Sequence, residues 1–183
     1  MISHESRSLF TFRIGVIFVI SMTIMTGCVY FNTFYNAEVA YKTARRDQQE
    51  FQANNPDTVE TLPASIVSNY DRAISKAARV IELYPRKKNW HDDALFMIGR
   101  ANYYKGEQRK AIHTLNDLIQ KYPQSPYIPR CYLYLVKAYI DKEDWLKAQE
   151  TLSFIDEHYP SLSSDEEVSL LRVKVSTSQG GRA

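Results

Sequence analysis

The stretch Asp93-Ala94-Leu95-Phe96-Met97-Ile98-Gly99-Arg100-Ala101-Asn102-Tyr103-Tyr104-Lys105-Gly106-Glu107, continued through Ala111, Leu115 and Leu118 to Tyr122-Pro123, decides the fold. Apolar residues recur at helical spacing on both sides of Lys105-Gly106-Glu107. Leu95, Ile98, Gly99 and Asn102 fall on one face of a first helix, and Ala111, Leu115 and Leu118 on one face of a second. Gly106 can take the left-handed conformation that closes a helix. Pro123 stops the second helix, because a residue before proline avoids the α region. The reading is two helices joined by a very short turn. One such pair cannot bury its own apolar face and needs copies beside it.

The copies are present. Tyr84-Pro85, Tyr122-Pro123 and Tyr159-Pro160 end three apolar runs, 38 and then 37 residues apart. Within the units the phase holds at 37: Gly99 matches Val136, Tyr103 matches Ile140, Ala111 matches Ala148, Leu115 matches Leu152 and Leu118 matches Ile155. Small residues at Gly99, Ala111 and Ala148 allow close helix approach. At this point the chain resembles the tetratricopeptide repeat (TPR) family, whose period is ~34 residues. Here the period is longer, and Leu95 and Tyr132 stand where that family carries a first-helix Trp. The expected architecture is all-α, a TPR-like solenoid of about three αα-hairpins with a C-terminal capping helix.

The amino terminus reads differently. Arg7 and Arg13 precede an apolar run, Ile14 to Met25, which ends in Met25-Thr26-Gly27-Cys28. A positive region, a short apolar run and small residues before a cut describe a secretory signal. The run is short for a membrane span, which needs ~20 apolar residues. Cys28 directly after Gly27 resembles a bacterial lipoprotein signal, in which the Cys is lipidated and becomes the first residue; Met25 departs from the usual Leu. The alternative is an uncleaved anchor from Leu9 to Met25. These readings divide the chain into a signal over 1–27, a lipidated tether over 28–34, a helical domain over 35–178 and a disordered tail over 179–183. Val29-Tyr30-Phe31-Asn32-Thr33-Phe34-Tyr35 is either the first turns of a packed helix or an aromatic foot at the membrane interface. By resemblance to lipoprotein sorting in enterobacteria, Val29 after the Cys implies delivery to the periplasmic face of the outer membrane.

Further along, Ala37, Ala40, Tyr41 and Ala44 continue a helix ending near Gln52. Residues 53–63, with two Pro, read as a loop. The next helix, about Ala64 to Tyr84, buries Ile66, Tyr70, Ala73, Ile74, Ala77, Val80 and Ile81. Asn89 or Asp92 would cap the first helix of the opening hairpin, and Asp144 a later one. A last helix, Val168 to about Val175, carries Leu170, Leu171 and Val173 to cover the end of the solenoid.

Composition excludes more than it selects. Apolar residues make up 44% of the chain, which supports a packed core, and six Gly and seven Pro leave most of it free to be helical. A formal net charge of +2 gives no nucleic-acid footprint. The histidines are His4, His91, His113 and His158, and no His-Glu-x-x-His, Cys-x-x-Cys, phosphate loop or Gly-x-Ser-x-Gly elbow occurs. His91-Asp92-Asp93 suits a helix start better than a metal site, because adjacent residues there diverge. Cys131 reads as a small apolar residue rather than a nucleophile. Neither a catalytic residue, nor a metal, nor any cofactor beyond the covalent lipid on Cys28 is expected.

Binding is better supported. The TPR resemblance implies that first helices line a concave surface. That lining would be Phe96, Arg100, Tyr103 and Tyr104 from one unit and Leu133, Lys137, Ile140 and Asp141 from the next, with Phe34 and Tyr41 adding to it. Rings with Arg and Lys suit peptide capture. A lipoprotein signal, stacked hairpins and Tyr-Pro ends over roughly Tyr35 to Pro160 resemble the BamD family, lipoproteins of outer-membrane β-barrel assembly. That family has five repeats, and this chain has room for three and a lid. The resemblance implies a non-enzymatic scaffold, with β-barrel assembly components or unfolded outer-membrane proteins as partners. A periplasmic TPR adaptor for cell-wall synthesis and division, similar to the coordinator that works with the Tol–Pal system, is the alternative; the amino-terminal coiled coil usual there is not seen.

Overall fold

The computed structural model describes residues 32–56 and 61–180. Cys28 and the signal stretch lie outside the described residues. Among those described, every regular element is helical. Helix α1 covers 32–54, and α2 spans Ala64–Leu83. They are followed by α3 (Lys88–Tyr104), α4 (Gln108–Lys121), α5 (Ile128–Asp141), α6 (Trp145–His158), the single turn α7 (Pro160–Ser163) and α8 (Glu166–Gly180). The helix already includes residues 32–34, assigned above to the tether, and α8 runs past Val175 to Gly180. Beyond Val175 the hydroxyls of Ser176, Thr177 and Ser178 donate to the carbonyls of Val173 and Lys174, three and four residues back.

Each helix packs on its neighbours in the chain, α2 on α3, α3 on α4, α4 on α5 and α5 on α6, and the first helices α3 and α5 also touch. The protein is thus an all-α, TPR-like stack of helical hairpins. Its core is a series of apolar layers. Ala37, Ala40, Tyr41 and Ala44 of α1 meet Ile66, Tyr70, Ala73, Ala77 and Val80 of α2 and Ala94, Met97 and Ala101 of α3. Phe96, Leu115, Leu118, Cys131 and Leu135 form the next layer, and Leu133, Val136, Leu152 and Ile155 the last, together with Val168 and Val175 of α8. Full burial of one such aliphatic chain stabilises by about 1.5–3 kcal/mol.

The hairpin ends repeat closely. Tyr84, Tyr122 and Tyr159 cap α2, α4 and α6 with φ of −126°, −133° and −133° and ψ of 56°, 60° and 63°. Their N–H groups donate to the carbonyls of Val80, Leu118 and Ile155, and the proline after each shuts out the α region. The α3–α4 turn has Gly106 at φ 89°, and the α5–α6 turn places Glu143, its repeat equivalent, at φ 56°. A Cβ added at Gly99 would lie 2.7 Å from Leu115 Cδ2, so α4 rests directly on the α3 backbone.

Three expectations are corrected. The helix of the opening hairpin starts at Lys88, with Lys87 at the cap position and no side-chain cap, so Asn89 and Asp92 lie inside it; Asp144 does cap α6, accepting from Lys147 N–H at 3.3 Å. Helix α3 is not buried on one face. Ala94, Met97 and Ala101 pack towards α1 and α2, Phe96 towards α5 and Gly99 against α4, because a helix inside a solenoid has neighbours on several sides. In α8 the packing residues are Val168, Leu171 and Val175, whereas Leu170 and Val173 are exposed. The buried residues keep the repeat phase, since Val168 and Val175 follow the buried Cys131 and Ala138 by the same 37 residues.

Candidate functional site

Helical spacing brings Tyr41 and Arg45 of α1, Arg100, Tyr103 and Tyr104 of α3, and Tyr134 and Lys137 of α5 to one surface. The rings of Tyr103, Tyr104 and Tyr134 form a triangle with centroids 5.0, 5.5 and 5.9 Å apart, all edge-on. Tyr41 leans on Tyr104 at 6.3 Å. Three cations lie over these rings. Arg45 Cζ is 3.4 Å from the Tyr104 centroid, Arg100 Cζ 4.2 Å from that of Tyr41, and Lys137 Nζ 5.1 Å from that of Tyr134. Each cation gains from the negative face of its ring, an attraction that strengthens as water is excluded.

Gln48, buried on α1, holds this face in register. Its Nε2 donates to the Tyr104 carbonyl at 3.2 Å, and its Oε1 accepts from the Tyr70 hydroxyl at 2.5 Å and Arg45 Nη1 at 3.1 Å. One side chain thus joins α1, α2 and α3. Burial pushes the Tyr103 phenol up, and the Asp141 carboxylate beside it adds to the shift. Burial also raises Tyr134, with Tyr41 and Tyr104 contributing. These hydroxyls stay protonated at neutral pH and remain donors.

Beside the rings a polar cleft of about 620 Å³ opens where the first helices end. Arg45, Gln48, Tyr103, Tyr104, Gln108 and Asp141 contribute to its walls. Gln108 Nε2 donates to Asp141 Oδ2 at 3.2 Å, and its Oε1 is buried without a partner among the described residues. At the mouth Lys105 Nζ pairs with Asp71 at 2.7 Å, tying the α3–α4 turn to α2.

The residues expected to line a groove divide. Arg100, Tyr103, Tyr104 and Lys137 are half-buried on the aromatic face, and Asp141 is exposed at the cleft. Phe96, Leu133 and Ile140 are core instead, at 4%, 8% and 3% exposure. Phe96 stacks on Tyr127 at 4.6 Å, while Leu133 and Ile140 share a layer with α8. These positions face the next first helix in the stack, so stacking covers them. Tyr41 is also buried and lies under Arg100; Phe34 is partly buried against the α1–α3 layer. Tyr134, Arg45 and Gln48 were not anticipated. Spacing could have found two of them: Tyr134 is three residues before Lys137, and Arg45 four after Tyr41.

Other candidates are structural. His91 is buried, with Nε2 2.8 Å from the Tyr84 carbonyl and Nδ1 3.0 Å from the Tyr122 hydroxyl. A carbonyl only accepts, so Nε2 carries the proton and Nδ1 accepts from Tyr122. His113 and His158 are exposed. Cys131 is fully buried, and burial pushes its thiol up to about 12. Among the described residues no three His, Cys, Asp or Glu groups are placed to hold a metal, and no helix is long and apolar enough to cross a membrane.

No curated relative matches the chain. A family model described as outer membrane lipoprotein matches residues 91–183, just over half of the sequence, from α3 through α8 and beyond. On that match, this chain of stacked hairpins belongs to the outer membrane lipoprotein family YfiO.

Proposed function

We propose that this protein is a scaffold held at the periplasmic face of the outer membrane by lipid on Cys28, and that it docks protein partners on its aromatic–cationic face during β-barrel assembly. The observation that carries the docking reading is the placing of Arg45, Arg100 and Lys137 over Tyr104, Tyr41 and Tyr134 on consecutive first helices. Rings supply rigid apolar contact, and cations select carboxylates and backbone carbonyls. The family description supports the location. The mechanism is noncovalent: the surface holds an extended or helical segment, and the anchor confines the search to the plane of the membrane. Two acyl chains suffice for stable attachment, each buried CH₂ adding about 0.8 kcal/mol.

The test is copurification from detergent-solubilised membranes, with the Arg100→Ala, Tyr104→Ala double variant as control. A β-barrel assembly protein should be recovered with the native chain and lost with the variant while helicity is kept. Recovery of cell-wall synthases instead would assign the scaffold to that machinery, and equal recovery by both chains would remove the face from the docking site.

A further inference from the structure

We propose that Arg100 and Arg130 together receive a carboxylate from an acidic segment of a partner protein. This rests on the docking reading above and specifies its chemistry. The repeat carries the argument. Arg100 and Lys137 are 37 residues apart and occupy the same position in successive units. Lys137, whose side chain is 12% exposed, is neutralised by Glu167, which α8 brings onto it. Since α8 keeps the repeat phase, the residue corresponding to Glu167 one unit earlier is Arg130. Where the last unit pairs Lys with Glu, the unit before it has Arg and Arg.

The earlier unit is correspondingly short of acceptors. Among the described residues neither Arg100 nor Arg130 forms an ion pair with a carboxylate. A guanidinium offers five N–H donors. For Arg100 the only acceptor among those residues is the Met97 thioether, 3.5 Å from Nη2, and Nε is buried with no partner. The rings of Tyr41 and Phe96 lie 4.2 and 5.3 Å from Cζ, so aromatic surface is supplied while in-plane acceptors are missing. A carboxylate meets a guanidinium in that plane through two parallel hydrogen bonds. By the repeat, Arg130 stands to Arg100 as Glu167 stands to Lys137, so one carboxylate would meet both cations. Tyr41 and Phe96 border the position, with Tyr134 beyond Phe96 at 5.9 Å, which gives a peptide more to hold than a bare anion would find. Helix α8 is then an internal example of the ligand: an acidic first turn followed by Val and Leu, laid against a first helix.

The test uses the full chain in detergent micelles and a fluorescein-labelled synthetic peptide copying residues 164–176. A second peptide carries Asp165→Asn, Glu166→Gln and Glu167→Gln. Anisotropy at low salt should show the acidic peptide binding on the order of tenfold more tightly, as expected for one charge-assisted contact. Arg100→Met and Arg130→Met should each abolish most of that preference, while Arg100→Lys keeps part of it and Lys121→Met, on the second helix α4 where Lys121 pairs with Asp117, leaves it intact. If Arg100→Met fails to fold, Arg130→Met, on an exposed side chain, carries the same test. Equal affinity for the two peptides overturns the proposal, as does a preference that survives both arginine-to-methionine variants or that Lys121→Met removes as fully as they do. Binding of neither peptide overturns it too, while the copurification experiment decides the docking reading separately.

Discussion

The Tyr122 hydroxyl lies 3.0 Å from Nδ1 of His91, whose Nε2 reaches the Tyr84 carbonyl at 2.8 Å. One imidazole therefore joins the capping tyrosines of two successive hairpins. The tie is specific to this junction: Tyr159 packs on Tyr132 and Phe154 instead. Tyr122→Phe leaves a buried ring nitrogen without its donor, which costs about 1–3 kcal/mol. Urea unfolding should show that loss with helicity retained, and an unchanged midpoint would mean that water replaces the hydroxyl.

Gly99 is where α4 comes closest to α3. With Leu115 Cδ2 only 2.7 Å from a built Cβ, Gly99→Ala forces the leucine to move. Overpacking of this kind costs about 1–3 kcal/mol. Adding Leu115→Val to the Gly99→Ala variant should recover part of it. A thermal double-mutant cycle measures the coupling, and simple additivity would show that the two side chains do not meet.

The two short turns make a matched pair. Gly106 has nothing within 4 Å of a built Cβ, so Gly106→Ala is resisted only by its φ of 89°. Glu143 already bears that burden at φ 56°. A side chain in this region costs roughly 1–2 kcal/mol. Gly106→Ala should thus destabilise and Glu143→Gly stabilise, each by about 1 kcal/mol once the flexibility of glycine in the unfolded chain is deducted. Opposite shifts in melting temperature check this.

Buried phenols predict an alkaline limit. Tyr70 and Tyr127 are both pushed from an ordinary 10.0 up to about 12, chiefly by burial, with the hydrogen bond to Asp93 adding to Tyr127. The raised value belongs to the folded state. Its contribution is therefore complete below pH 10.0 and is lost as pH climbs through about 12. Absorbance at 295 nm should show one set of tyrosines ionising near the ordinary value and another lagging, with stability falling across the same interval. A single transition near the ordinary value would refute the burial.

Cys131 and Cys28 should behave oppositely. Cys131 is fully buried and its thiol is raised to about 12, so thiol reagents should modify it only on unfolding. Labelling with radioactive fatty acid should consequently report on Cys28 and vanish in Cys28→Ala, which should also release the protein from membranes. Labelling that persists in Cys28→Ala would remove the proposed anchor.

Local chemistry and period, both written along the chain, settled much of the fold. The three Tyr-Pro ends, the left-handed turn at Gly106, the Asp144 cap, the small residue at Gly99 and the buried face of α2 follow from proline sterics, glycine's freedom and 3.6-residue spacing. Lateral contact was not written there. Whether Phe96, Leu133 and Ile140 face a partner or the next hairpin depends on how tightly first helices stack, and stacking buried them. Gln48, joining three helices, and the lean of Arg100 onto Tyr41 across some sixty residues of sequence likewise have no local signature. Helix α8 shows the division most plainly: its existence and its place as a lid were read from the sequence, but only the packed structure decided that Val168 and Val175 pack, that Leu170 and Val173 point outward and that Glu167 reaches Lys137. Periodicity says which side of a helix is apolar; the neighbours it finds in space determine which part of that side is covered.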